Sequence, residues 1–226
     1  MMFLRTLVLI SILSFFLPLS LAATDGWVFQ GAVGVVENLE TSLTIRQAGS
    51  PDIEVDADYE THPFESPLYY MLRAGRWRGR AGWEVELIHH KLFLQDPPAE
   101  VHDFSISHGY NLLMVNRAWE VRRLLLRAGA GAVIAHPENT VRGRTLDPGD
   151  TNLSGGYHLA GPVLQLAAEK RFALGERWFV GLEGKITGAR AEVPVAGGDA
   201  DVPNVAFHAL LGLGFQNPRR LSPPFD

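Results

Sequence analysis

The sequence predicts an all-β chain, an eight-stranded antiparallel up-and-down transmembrane β-barrel with long extracellular loops and short periplasmic turns. Three observations lead there. Eight stretches alternate apolar and polar residues with a period of two, the strand repeat. Short turns near 79, 121 and 176 alternate with long polar segments at 37–65, 94–102, 136–154 and 194–203, the pattern of outer-membrane barrels. The face opposite the apolar one repeatedly carries charge, which a membrane barrel turns inward. A soluble lipocalin-like barrel is the alternative, since a charged face can also simply be solvated.

The first strand is Trp27–Val36, apolar on both faces apart from Gln30. The polar segment 37–65 holds two short alternating runs, Thr41–Gln47 and Ile53–Tyr59, read as a hairpin of its own or as extensions of the flanking strands. Pro67–Trp77 and Gly82–Phe93 form the first tight hairpin. A turn centred on Gly79-Arg80 places Arg73 opposite Glu86 on the polar face. Phe104–Trp119 and Leu124–Ala135 follow, joined by a turn at Glu120–Arg123. That turn geometry sets Asn116 across from Arg127, Met114 against Gly129 and Leu112 against Gly131. Tyr157–Phe172, Trp178–Thr187 and Val205–Phe215 complete the set. Trp77, Trp119 and Trp178 all adjoin short turns, where an aromatic girdle belongs. The aromatic end at Phe215 resembles the assembly signal read by the barrel-assembly machinery, although a tail, Gln216–Asp226, follows it.

Residues 1–22 read as a Sec signal peptide, with Arg5, an apolar run and Ser20-Leu21-Ala22 before the cut. The barrel then occupies 23–216 and a periplasmic tail 217–226. The expected location is the bacterial outer membrane, reached by Sec export, with outer-membrane lipid and lipopolysaccharide as partners. The chain of 226 residues has no cysteine, which excludes disulfides, thiolate metal sites and a lipid anchor on cysteine. Its net charge of -5 gives no case for nucleic acid.

An eight-stranded barrel can be filled by its own side chains, so transport of large solutes is not expected. Arg73, Glu86, Asn116, Arg127, Glu169, Glu183 and Lys185 all fall on the inward face, as a buried network of paired charges. The histidines cluster differently. His62, His89, His90, His102, His108, His136 and His158 fall in the outer half, and only His208 is mid-barrel. His90 and His108 are expected to point inward near the outer rim, with Glu86 below His90 on the same face and Glu138 beside His136. His90, His108 and Glu86 are therefore the catalytic candidates, and His90, His108 and His136 the candidate ligands of a divalent metal. Rim histidines merely tolerated at a wet interface are the plainer reading. The run Glu54, Asp56, Asp58, Glu60 is either a solvated strand face or a cation site bridging lipopolysaccharide phosphates.

Phe64, Pro67, Tyr69-Tyr70 and Arg73, then Trp83-Glu84 running into Glu86 and His90-Lys91, then Gly109, Asn111-Leu112 and Asn116, form a series that resembles the eight-stranded lipid A oxidase-like outer-membrane proteins. Gly129 and Gly131 leading to Pro137, and Gly161-Pro162, continue the match over most of the mature chain. The resemblance implies oxidation of the proximal glucosamine of lipid A to an aminogluconate unit, using oxygen and a divalent metal, and transfers no catalytic residues. Other lipid A enzymes fit less well. The deacylase barrels use a His-x-Ser pair, absent here, and the palmitoyltransferase barrels begin with an amphipathic helix for which there is no room. A non-enzymatic structural or loop-presenting barrel without pore activity is the other functional class.

Overall fold

The computed structural model describes residues 25–218; the expected signal peptide and residues 219–226 lie outside them. The strands in chain order are β1 (Gly26–Leu39), β2 (Thr41–Gln47), β3 (Ile53–Ala57), β4 (Tyr59–Glu60), β5 (Tyr70–Arg78), β6 (Ala81–Leu94) and β7 (Val101–Val121). They continue as β8 (Leu124–Ala135), β9 (Glu138–Val141), β10 (Arg144–Thr145), β11 (His158–Ala173), β12 (Trp178–Val195) and β13 (Gly198–Pro218). Eight of them, β1-β5-β6-β7-β8-β11-β12-β13, pair antiparallel in that order. The ring closes where β13 pairs back on β1, from Gly26↔Pro218 to Leu39↔Val205. Closure leaves the wall without an open edge.

The other five strands build the outer end upward. β2 pairs with β13 and β3 with β2; β4 adds to β6; β9 adds to β7 and β10 to β9. Segments 37–65 and 136–154 are thus sheet extensions as well as loops. The segment 194–203 is not a loop at all: β12 and β13 stay in register to Val195↔Gly198. Val193, Val195, Ala200 and Val202 alternate inward there, and Gly197, at φ +78°, makes the turn. Glu54 and Asp56 on β3 face solvent.

The hairpin around Gly79 has the expected register, Arg73↔Glu86. The β7–β8 register differs from expectation by two residues: Asn116↔Gly129, Met114↔Gly131, Leu112↔Val133 and Ala118↔Arg127. The turn is the dipeptide Arg122-Arg123, with both residues at positive φ, so its centre lies one residue later than the sequence suggested. Gly131 remains a point of close approach: a Cβ there would sit 1.9 Å from the Leu113 carbonyl oxygen.

The lumen is filled in three layers. Val28, Trp77, Ala118, Leu125 and Phe179 form an apolar floor at the end of the short turns. Trp77 is therefore not a girdle residue. It is fully buried, with its indole N–H donated to Glu84 at 3.2 Å. Above it lie four cations, Arg73, Arg127, Arg171 and Lys185, and four carboxylates, Glu84, Glu86, Glu169 and Glu183, all buried. Arg127 bonds Glu84 at 2.6 Å and Glu169 at 2.7 Å, and Arg73 lies 2.8 Å from Glu183. Charges at this depth persist only when paired this way. The third layer is an apolar core contributed largely by the outer extension, with Leu43, Ile45, Phe104, Ile106, Val141 and Val202. Outside, the polarity reverses: Phe29, Val85, Val115, Leu164, Leu166 and Leu213 are each about half exposed or more. Trp27, Trp83, Trp119 and Trp178 ring the short-turn end of this apolar belt.

Candidate metal centre

The site forms where β7 leaves its regular alternation. Opposite β6 the pairing slips between His90 and Leu92, and Gly109 sits at φ +131°. Tyr110 points inward, so strict alternation would point His108 inward too. The bulge breaks that parity and leaves the His108 side chain 59% exposed. From the next strand, His136 follows the end of β8 and donates its amide to the Gly109 carbonyl at 2.9 Å. Pro137 keeps the chain extended, and Glu138 opens β9 opposite Ser105.

His108, His136 and Glu138 thereby converge, with ligand-capable atoms all within 4.8 Å of one another. The two imidazole centroids are 5.1 Å apart, and His108 Nδ1 is 3.3 Å from Glu138 Oε1. Ser107 holds both neighbours: its hydroxyl is hydrogen-bonded to Glu138 and lies 3.0 Å from His108 Nδ1. Tyr157 packs edge-on against His136 at 4.9 Å, and its hydroxyl donates to the His108 carbonyl at 3.5 Å. Gly156, at φ +77°, leaves the ring its space, since a Cβ there would lie 2.7 Å from His136 Nε2. His136 Nδ1 is buried without a hydrogen-bond partner, a lone pair or proton awaiting one. Two imidazoles and one carboxylate on a partly open rim suit Zn²⁺ or, as the two-histidine-one-carboxylate set, non-haem Fe²⁺.

The other candidates lie elsewhere. His90 is fully buried in the lumen, with its Nε2 3.0 Å from Thr61 Oγ1 and its ring between Tyr69, Tyr110 and His208. The structure thus separates His90 from His108 and His136, against the expected grouping. Glu86 belongs to the charge layer, bonded to Arg73, Lys185 and Asn116. His208 is held by Tyr69 and Thr187 at 2.9 Å each, directly beside His90. Among the described residues, the sequence reading missed the roles of Ser107, Tyr157 and His208. Gly109 inside a strand was the available sign of the bulge.

No family model matches the chain and no curated protein matches it. Solved structures give distant likenesses. Neisserial surface protein A is 8% identical at a TM-score of 0.43, covering 86% of this chain and 99% of its own. Ail, the attachment invasion locus protein of Yersinia pestis, is 9% identical at 0.40, covering 85% and 99%. The outer membrane protein OprG from Pseudomonas aeruginosa is 11% identical at 0.49, covering 88% and 99%. At such values none of them brings a residue role to this chain.

Proposed function

We propose that the chain is a bacterial outer-membrane protein that modifies lipid A at the outer leaflet, in the manner of a metal-dependent oxidase. The membrane placement is supported by the closed wall, the charged lumen and the apolar outer belt with its tryptophan ring. The observation that carries the activity is the position of His108, His136 and Glu138. Ile134, paired with Leu159, marks the upper edge of the apolar belt, and His136 follows two residues later. A sugar headgroup of the outer leaflet lies at that height, and the lumen below is filled, so chemistry is confined to the rim.

His108, His136 and Glu138 would hold the metal, with Ser107 orienting His108 and Glu138 and Tyr157 packing against His136. A bound redox-active metal such as Fe²⁺, and not Zn²⁺, would supply the activation of oxygen. The overall change is balanced without a further reductant: a hemiacetal carbon loses two electrons and two protons, oxygen becomes hydrogen peroxide, and the resulting lactone hydrolyses to the acid. The substrate must therefore carry a free anomeric hydroxyl on the proximal glucosamine. Mass spectrometry of lipid A from cells whose lipid A bears a free anomeric hydroxyl, with and without the protein, tests this reading; gain of one oxygen atom on the proximal sugar supports it, and an unchanged profile rejects it.

A loop-presenting role without catalysis is favoured by one separate feature, the apolar core that the outer extension builds for itself. An unchanged lipid A profile together with an intact folded barrel would select that role.

A further inference from the structure

The lipid-facing wall carries one row that does not fit an uncharged girdle. Reading across the paired strands, Trp27 on β1 faces Arg76 on β5, Arg76 faces Trp83 on β6, and Trp83 faces Arg117 on β7. The guanidinium groups lie over the indoles: Arg76 is 5.5 Å from the Trp27 centroid, and Arg117 is 5.3 Å from that of Trp83. The two adjacent turns add exposed Arg78, Arg80, Arg122 and Arg123, and the Glu120 amide ties these turns together by donating to the Arg80 carbonyl at 2.8 Å. Among the described residues, the carboxylates on this part of the rim are Asp25, which accepts from the Gly79 amide, and Glu120.

Immediately toward the membrane centre, the next two cross-strand rows are Phe29–Ala74–Val85 and Gly31–Leu72–Leu87. The small residues Ala74 and Gly31 sink between the large ones, leaving an apolar groove of about 610 Å³ on the outer wall. The groove is walled by Phe29, Leu72, Leu87, Trp178, Leu213 and Phe215 and begins one cross-strand row from Arg76; a cationic ledge beside an apolar groove has the polarity of one lipid.

We infer that this face binds an anionic phospholipid of the inner leaflet, with its phosphate on Arg76 and Arg117 and an acyl chain in the groove over Ala74 and Gly31. The inference rests on the membrane placement proposed above. Guanidinium groups facing hydrocarbon at the boundary need a counter-charge, and the phosphate at that depth supplies it. Contact with the indole faces holds both guanidiniums; Arg117 gives one N–H to the Gly82 carbonyl at 3.2 Å and keeps others to donate.

The test reconstitutes the protein into vesicles of equimolar phosphatidylglycerol and phosphatidylcholine, extracts it in mild detergent and reads retained lipid by native mass spectrometry. Wild type is expected to retain phosphatidylglycerol well above the vesicle ratio. Arg76→Gln with Arg117→Gln should lower that preference roughly tenfold or more, and the double Lys variant should restore part of it. Ala74→Leu should reduce retention of both lipids without changing their ratio. Wild type retaining lipid at the vesicle ratio, or the Gln pair behaving as wild type, overturns the inference. Displacement of the lipid by inorganic phosphate alone overturns it in favour of a free-phosphate site. A heat-dependent gel shift confirms that each variant is folded; if the Gln pair loses it, loss of the wild-type preference at high salt decides instead. A chain fully soluble without detergent would fail the membrane placement itself, a distinct outcome from a folded barrel without lipid preference.

Discussion

Arg73 on β5 and Glu183 on β12 meet 2.8 Å apart across the lumen, with β13 and β1 between their strands in the wall. The same guanidinium lies 2.6 Å from Glu86 and donates to Gln30 at 2.9 Å. One side chain thus ties three sectors of the ring together. Arg73→Met leaves carboxylates buried beside a missing cation, which costs about 3–5 kcal/mol. Urea unfolding in micelles should show a loss of that size, partly recovered by adding Glu183→Gln. A cost near zero would contradict the role given to Arg73.

The three filled layers also fix what crosses the barrel. Wild type in planar bilayers is expected to give no stepwise conductance. Openings of porin size would mean that the charge layer or the outer apolar core is displaced in the membrane.

The outer extension carries a pH signature of its own. Tyr59 on β4, beyond the apolar outer belt, is buried with its hydroxyl unpartnered. Burial raises its pKa above the ordinary value of 10.0. A folded pKa above the unfolded one means that the stability contributed is complete below pH 10 and is lost as pH rises beyond it. Hydrogen exchange over 37–65 should therefore accelerate above pH 10 in wild type and less so in Tyr59→Phe. At neutral pH the Phe variant should be more stable by about 1 kcal/mol, because a buried orphan hydroxyl is removed. Equal alkaline sensitivity in both proteins would assign the effect to another group.

Ser107 touches both Glu138 and His108 without being a ligand candidate itself. Ser107→Ala should weaken divalent-metal binding roughly 10–100-fold, as loss of an orienting partner does. Calorimetric titration with Zn²⁺ or Fe²⁺ reads this directly. Gly156→Ala should act in the same direction, by pressing on His136.

The Arg73–Glu86 pair was legible in the sequence because strand alternation and one tight turn jointly determine it. Pairing across the β7–β8 turn was not, since several residues of 120–124 make acceptable turn centres and each one-residue shift moves every partner by two. Trp77 was misplaced by its nearness to a turn, although its parity in β5 already pointed inward. The fourth outer loop concealed strand because Gly, Pro and Asp dominated its composition while Val193, Val195, Ala200 and Val202 kept the period. For the candidate site, the outer clustering of histidines was visible, as was Glu138 beside His136. The convergence of His108 on them depends on a bulge at Gly109, and the contact between His90 and His208 depends on packing across the lumen. Neither leaves a periodic trace in the chain.

The most direct measurement compares lipid A by mass spectrometry from cells expressing wild type, His136→Ala or Glu138→Gln, with each barrel verified by its heat-dependent gel shift. Wild type should convert proximal glucosamine to a species one oxygen heavier, with both variants folded and inactive. Conversion undiminished in the variants, or none in wild type supplied with lipid A bearing a free anomeric hydroxyl, would contradict a rim-located metal-dependent activity.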